Sequence, residues 1–197
     1  MYNQFVSPTG RPFLTTIKQR REASITTHIN NLQLRDVKDD AVFAQTSSRI
    51  IGDVVFKKVE IGEPKVGEHR YHESPPSIQQ QMLGLSRSHY IFPVEFPFTG
   101  DRELFEYNPD SFSWSSSEHG LILPSYDRLV VYVDIPELDP EKAKLMARNL
   151  LSMTFQFVNS NNASIELWSN HITEFIKQKL KDKRAELIRV FGGPGAS

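Results

Sequence analysis

The chain has no cysteine among its 197 residues. That excludes disulfides, thiolate zinc sites and cysteine nucleophiles together. It also has no apolar run near the roughly 18 residues of a membrane span, and no basic start leading into an apolar segment of the signal-peptide kind. A cytoplasmic protein that does not enter a membrane is the expectation. Net charge is only −1, too balanced for a whole-protein nucleic-acid binder. Several motifs are missing as well. There is no Gly-x-Ser-x-Gly elbow, no Gly-x-x-x-x-Gly-Lys-Ser/Thr and no Gly-x-Gly-x-x-Gly, so the usual acyl-transfer and nucleotide signatures are wanting. No cofactor is expected.

What is present suffices for a core: 39% of residues are hydrophobic and 24% charged. Charge runs basic, acidic, basic along the chain, at +4 for 1–38, −7 for 39–162 and +2 for 163–197. Such an order lets the two ends pack on the middle. Apolar spacing from Phe13 to Leu32 predicts a first helix. A second fits Asp39 or Asp40 as N-cap, ending at Gly52. Val54–Ile61 reads as a strand and residues 62–88 as a long loop. Within His89–Phe98, Pro93 and Pro97 predict an edge strand or two short pieces. Leu104–Tyr107, Phe112–Trp114 and Leu121–Leu123 read as short extended segments, and Leu129–Ile135, closed by Pro136, as the clearest strand.

From Asp139 the period changes. Asp139-Pro140-Glu141 is a helix start, and an apolar stripe runs to Val158. The polar run Asn159-Ser160-Asn161-Asn162 predicts a reversal, with a second helix returning to Gly192-Gly193-Pro194. The expected class is α+β: two N-terminal helices, a small mixed or antiparallel sheet and a long C-terminal antiparallel helical hairpin. The units are 1–138 as core, 139–192 as hairpin or oligomerisation arm, and 193–197 as tail.

The chemistry-bearing candidates are few. His69 and His72, in a segment that otherwise reads as a solvated loop, are the metal-ligand pair by spacing, without the helical i, i+4 placement of zinc-protease histidines. Asp53, Glu63 and Lys65 echo the acid…Glu-x-Lys order of metal-dependent nucleases, with Pro64 interrupting the strand such enzymes use. Lys177, Lys181, Lys183 and Arg184 form a basic helix surface able to meet phosphates, interleaved with acids. Ile165, Trp168, Ile172, Phe175 and Ile176 make an apolar stripe suited to a protein interface or to the chain's own core.

Phe96-Pro97-Phe98-Thr99-Gly100-Asp101-Arg102-Glu103-Leu104-Phe105, followed by Asn108-Pro109-Asp110-Ser111-Phe112, resembles an uncharacterised bacterial domain with the order Pro-Phe-x-Gly-Asp-x-x-Leu-Phe … Pro-x-x-Phe and a closing helical pair. Lys183-Arg184, Leu187 and Gly193-Pro194 fit its final helix, and the likeness spans about residues 90–194. One departure is Ser169 after Trp168, with Asn170 one place late. The resemblance implies an N-terminal module of a larger bacterial protein whose remaining part is an effector, including nuclease and signalling domains of antiviral defence systems. It brings no catalytic residues. Physically, Gly100-Asp101 is a turn with Asp101 bonding backbone amides and Phe98, Leu104 and Phe105 anchored in the core. The function expected is a non-catalytic sensor, scaffold or oligomerisation module, partnered by its own copies or by an effector domain. The alternatives are a nucleic-acid-associated protein and a metal-dependent hydrolase.

Overall fold

The computed structural model describes residues 3–74, 87–110 and 120–191. The expected segment Phe112–Trp114, the turn at Glu118-His119 and the Gly192-Gly193-Pro194 stop lie outside them. The chain is α+β, with a small antiparallel sheet and a long C-terminal helix.

Three helices open the chain: α1 (Leu14–Asn30), a single turn α2 (Leu34–Val37) and α3 (Asp40–Val54). Asp39 caps α3 by accepting the Ala41 and Val42 N–H groups at 2.7 and 3.3 Å. Gly52 does not end this helix. Thr46, Ile50 and Val54 form one buried stripe, and burying Val54 outweighs the roughly 1 kcal/mol that glycine costs inside a helix. The strand expected from Val54 is therefore shortened to Glu60–Ile61 (β1).

The supposed loop after it contains β2 (Lys65–Val66) and β3 (Arg70–Ser74). The 13-residue β4 (Arg87–Thr99) is the centre of the sheet and not an edge. On one side it pairs without interruption with β5 (Arg128–Ile135), from Tyr90 opposite Ile135 to Pro97 opposite Arg128. On the other side β1, β2 and β3 lie end to end. Between them the register slips twice. Ile61 faces Phe98 and Lys65 faces Glu95; Val66 faces Val94 and Arg70 faces Ile91. Each time four steps on one strand meet three on the other, which is the signature of a one-residue bulge.

The bulges explain how two prolines sit in a central strand. A strand residue points its N–H and C=O to the same side, so each proline's missing donor falls opposite a bulge. The Pro97 and Pro93 carbonyls accept the Gly62 and Gly67 N–H groups at 2.7 and 2.8 Å. A Cβ on Gly62 would stand 3.2 Å from the Pro97 ring, and one on Gly67 3.0 Å from the Pro93 ring. Ile61-Gly62-Glu63 and Val66-Gly67-Glu68 are thus two copies of one short device.

Leu104 lies in a 3-10 turn, Arg102–Phe105, and not in a strand. Among the described residues Leu121 pairs with Val6 alone, as an isolated bridge. The Gly100-Asp101 turn behaves as its chemistry predicts. Gly100 has φ +93°, and a Cβ there would fall 2.0 Å from the Lys58 carbonyl oxygen. Asp101 accepts the Lys57 N–H at 3.2 Å and returns its own N–H to the Lys57 carbonyl at 3.1 Å. Leu104 and Phe105 are buried, with the Phe98 and Phe105 rings 5.0 Å apart.

Helix α4 (Pro140–Leu150) starts at Asp139, which accepts the Glu141 and Lys142 N–H groups. Its buried Ala143 and Ala147 belong to the core beneath Phe92, Val94 and Phe96. Helix α5 (Ser152–Phe191) has 40 residues, about 60 Å at the usual rise. The expected reversal at Asn159–Asn162 does not occur, and there is no antiparallel hairpin. The only joint is Leu151, whose N–H donates to Ala147 and whose carbonyl accepts from Phe155. The asparagines sit inside α5 because their amides are spent elsewhere. Asn161, fully buried, donates to the Leu104 and Tyr107 carbonyls at 2.7 and 2.9 Å. Asn162 accepts the Val59 N–H at 2.9 Å and donates to the Val59 carbonyl at 2.7 Å.

Two cores result. One lies under the sheet with α4, the start of α1 and α5 as far as Ile165. The other joins Ile25 and Ile29 of α1, Val37, Ile50 and Val54 to Ile172, Ile176, Leu180 and Leu187. Trp168 packs on both; its indole N–H donates to Glu22 at 2.6 Å and its ring lies 5.4 Å from that of Phe56. The basic start meets the acidic middle through Lys18–Asp110 at 2.8 Å and through Arg21 with Asp101 and Glu103.

Candidate ligand cleft

The first bulge leaves a gap between the sheet edge and the helices. A cleft of about 450 Å³ opens there. Its walls are Val59–Pro64 from the bulged edge, Phe96 from β4, Arg148 from α4, and Phe155, Val158 and Asn159 from α5. Three physical causes hold it open. Asn162 fixes Val59 at one end. The Gly62–Pro97 contact pins the bulge against β4. Phe155 meets Phe96 edge-on, with ring centroids 5.7 Å apart, so the floor is aromatic and rigid. Val59, Phe96 and Val158 are buried, while the rim is polar. Arg148 reaches across to Glu63 with N···O 2.6 Å, and Glu60 and Asn159 complete the mouth.

The residues singled out by sequence fall in different places. Glu63 lies in the cleft wall; Lys65 lies one bulge further on, opposite Glu95; Asp53 lies exposed in the last turn of α3. The described contacts join none of these three to another, so the nuclease-like order does not assemble into one centre. His69 and His72 are separated as well. His69 packs against the Tyr90 and Phe92 rings on the core side, at 5.5 Å each. Strand alternation turns His72 to the other face, where it stacks on His89 with centroids 5.2 Å apart and planes at 13°. The expected pair therefore cannot share an ion. Among the described residues no group of three His, Cys, Asp or Glu is placed to hold a metal.

The apolar stripe of α5 faces the chain itself. Ile165, Ile172 and Ile176 are buried, Trp168 is partly buried between the cores, and Phe175 is exposed. The N-terminal helices cover what sequence offered as an assembly face. The basic surface is engaged too. Arg184 pairs with Asp40 at 2.5 Å and lies 4.7 Å over the Phe43 ring; Lys183 pairs with Glu186 and Lys177 with Glu174. Lys181, one turn beyond Lys177, is exposed. No described helix is long and apolar enough to cross a membrane.

Sequence reasoning missed Glu60, Arg148 and Asn159 as cleft residues; they come from β1, α4 and α5. The repeated apolar-Gly-Glu step at 61–63 and 66–68, read against Pro93 and Pro97, was the available signal. Compared with protein-family models, curated proteins and solved structures, the chain matches none.

Proposed function

We propose that this protein is a non-catalytic sensor module that binds a small molecule in the cleft between β1 and α5. The observation that carries the reading is the make-up of the cleft, an aromatic and aliphatic floor under a rim of one guanidinium, two carboxylates and one amide. Such a set orients a ligand by a few polar groups over apolar contact. The scaffold reading is weakened by the burial of Ile165, Ile172 and Ile176 within the chain, and the nucleic-acid reading by the ion pairs that Lys177, Lys183 and Arg184 already make. In the setting suggested by the Phe96–Phe112 motif, ligand occupancy would be passed to an effector domain or to a second copy of the chain.

The test is a fragment titration of isotope-labelled protein followed by amide NMR. Small aromatic and aliphatic fragments should shift the amides of Val59–Glu63 and Arg148–Asn159 ahead of all others. If no fragment shifts that set, the reading is wrong. A salt-sensitive response to oligonucleotides along Lys177–Arg184 would favour the nucleic-acid alternative instead.

A further inference from the structure

We infer that the ligand of this cleft is an apolar α-amino acid, its carboxylate on Arg148 and its ammonium on Glu63. The inference rests on the ligand-binding reading above and adds the chemical class. The mouth is closed by two opposite charges in direct contact, Arg148 and Glu63, at 2.6 Å. The side chains are 50% and 89% exposed, and an exposed pair of this kind contributes little and opens readily.

A ligand whose apolar body enters the cleft takes water from around those charges, and each then needs a counter-charge. A simple anion on Arg148 would leave Glu63 unpaired beside Glu60 and an added negative charge. A simple cation on Glu63 would leave the guanidinium unpaired. A zwitterion carrying both charges on one carbon replaces the pair one for one, and it suits two rim groups that already touch. The floor of Phe96, Phe155 and Val158 then receives an aliphatic or aromatic side chain. At about 450 Å³ the space is at the small end of ligand pockets, which run from roughly 300 to 1,000 Å³. That favours one amino acid over a peptide or a lipid.

The experiment titrates labelled protein with L-phenylalanine and L-leucine, and with the deaminated acid and decarboxylated amine of each, reading the amides of Gly62, Glu63, Arg148 and Val158. Each amino acid should bind roughly two- to fivefold more tightly than its two single-charge relatives. Arg148→Gln should erase the advantage over the amine and Glu63→Gln the advantage over the acid. Both sites are exposed, so both variants should fold. If acid, amine and amino acid bind alike, or the variants leave their order unchanged, the zwitterion inference fails while the cleft reading stands. It fails in the same way if fragments shift the cleft amides but neither amino acid does. If nothing shifts those amides, both fall.

Discussion

The two sides of β4 solve the same pairing problem in opposite ways. Towards β5 eight consecutive residues pair in one register, and the inward row Leu129, Val131, Val133 and Ile135 is buried. Towards β1, β2 and β3 the pairing comes in three pieces with two slips, and the cleft lies beside the first. The regular side needs only branched apolar side chains in alternation. The irregular side needs particular residues: two glycines under two prolines, an asparagine holding Val59, and a glycine at positive φ. Regularity here serves stability, and irregularity opens space at an edge that a full ladder would have sealed.

Breaking the irregular side should cost most where backbone meets backbone. Gly100→Ala puts a methyl group into the Lys58 carbonyl at an unfavourable φ, and should destabilise by roughly 3 kcal/mol or more in urea unfolding. Asn162→Leu leaves the Val59 N–H and C=O without their partner. A loss of about 2–4 kcal/mol is expected, with the amide shifts of Val59–Gly62 changing more than those of β5. Gly67→Ala should cost about 1 kcal/mol by pressing on the Pro93 ring. Combining it with Pro93→Ala should recover part of that loss in a double-mutant cycle. Additive losses would show that glycine and proline do not act as a unit.

Asp110 provides a pH handle away from both edges. Burial alone would raise its carboxyl, but hydrogen bonds from Lys18 and from the Thr15 side chain and N–H outweigh that and hold it below the usual carboxylate range. Its contribution to stability is therefore present above the pKa of the unfolded chain and lost as pH falls through the lower, folded value. Asp110→Asn keeps an oxygen for the Thr15 N–H but removes the charge paired with Lys18, so it should flatten the acid limb of the melting-temperature profile and cost up to about 1 kcal/mol at neutral pH. The smallest effect is expected for Arg148→Gln, within about 0.5 kcal/mol of the parent, because that side chain serves the cleft mouth and not the fold.

Much of the architecture was legible where local chemistry decides it. Asp139-Pro140-Glu141 opens a helix, Leu129–Ile135 is a strand, and Gly100-Asp101 makes the turn its residues demand. What was not legible depended on distant partners. Asn159–Asn162 looks like a break until Leu104, Tyr107 and Val59 are there to occupy two of its amides. Pro93 and Pro97 look like edge residues until bulges face them. His69 and His72 look like a pair until a strand between them turns one over. The α5 stripe carries no mark saying that α1–α3 and not a second molecule covers it. The cleft was harder still, since only Glu63 of its rim carried a motif.

The length of α5 bears on how the protein unfolds. One helix supplies Val158 and Ile165 to the sheet's core and Ile172, Ile176, Leu180 and Leu187 to the other, so neither core is complete without the same 40-residue rod. Melting either end strips an apolar stripe that the remaining half cannot shelter, which couples the two halves into one cooperative transition. Dissection into separately folding fragments should fail wherever the cut falls, and calorimetry should record a single peak for a molecule that contains two cores.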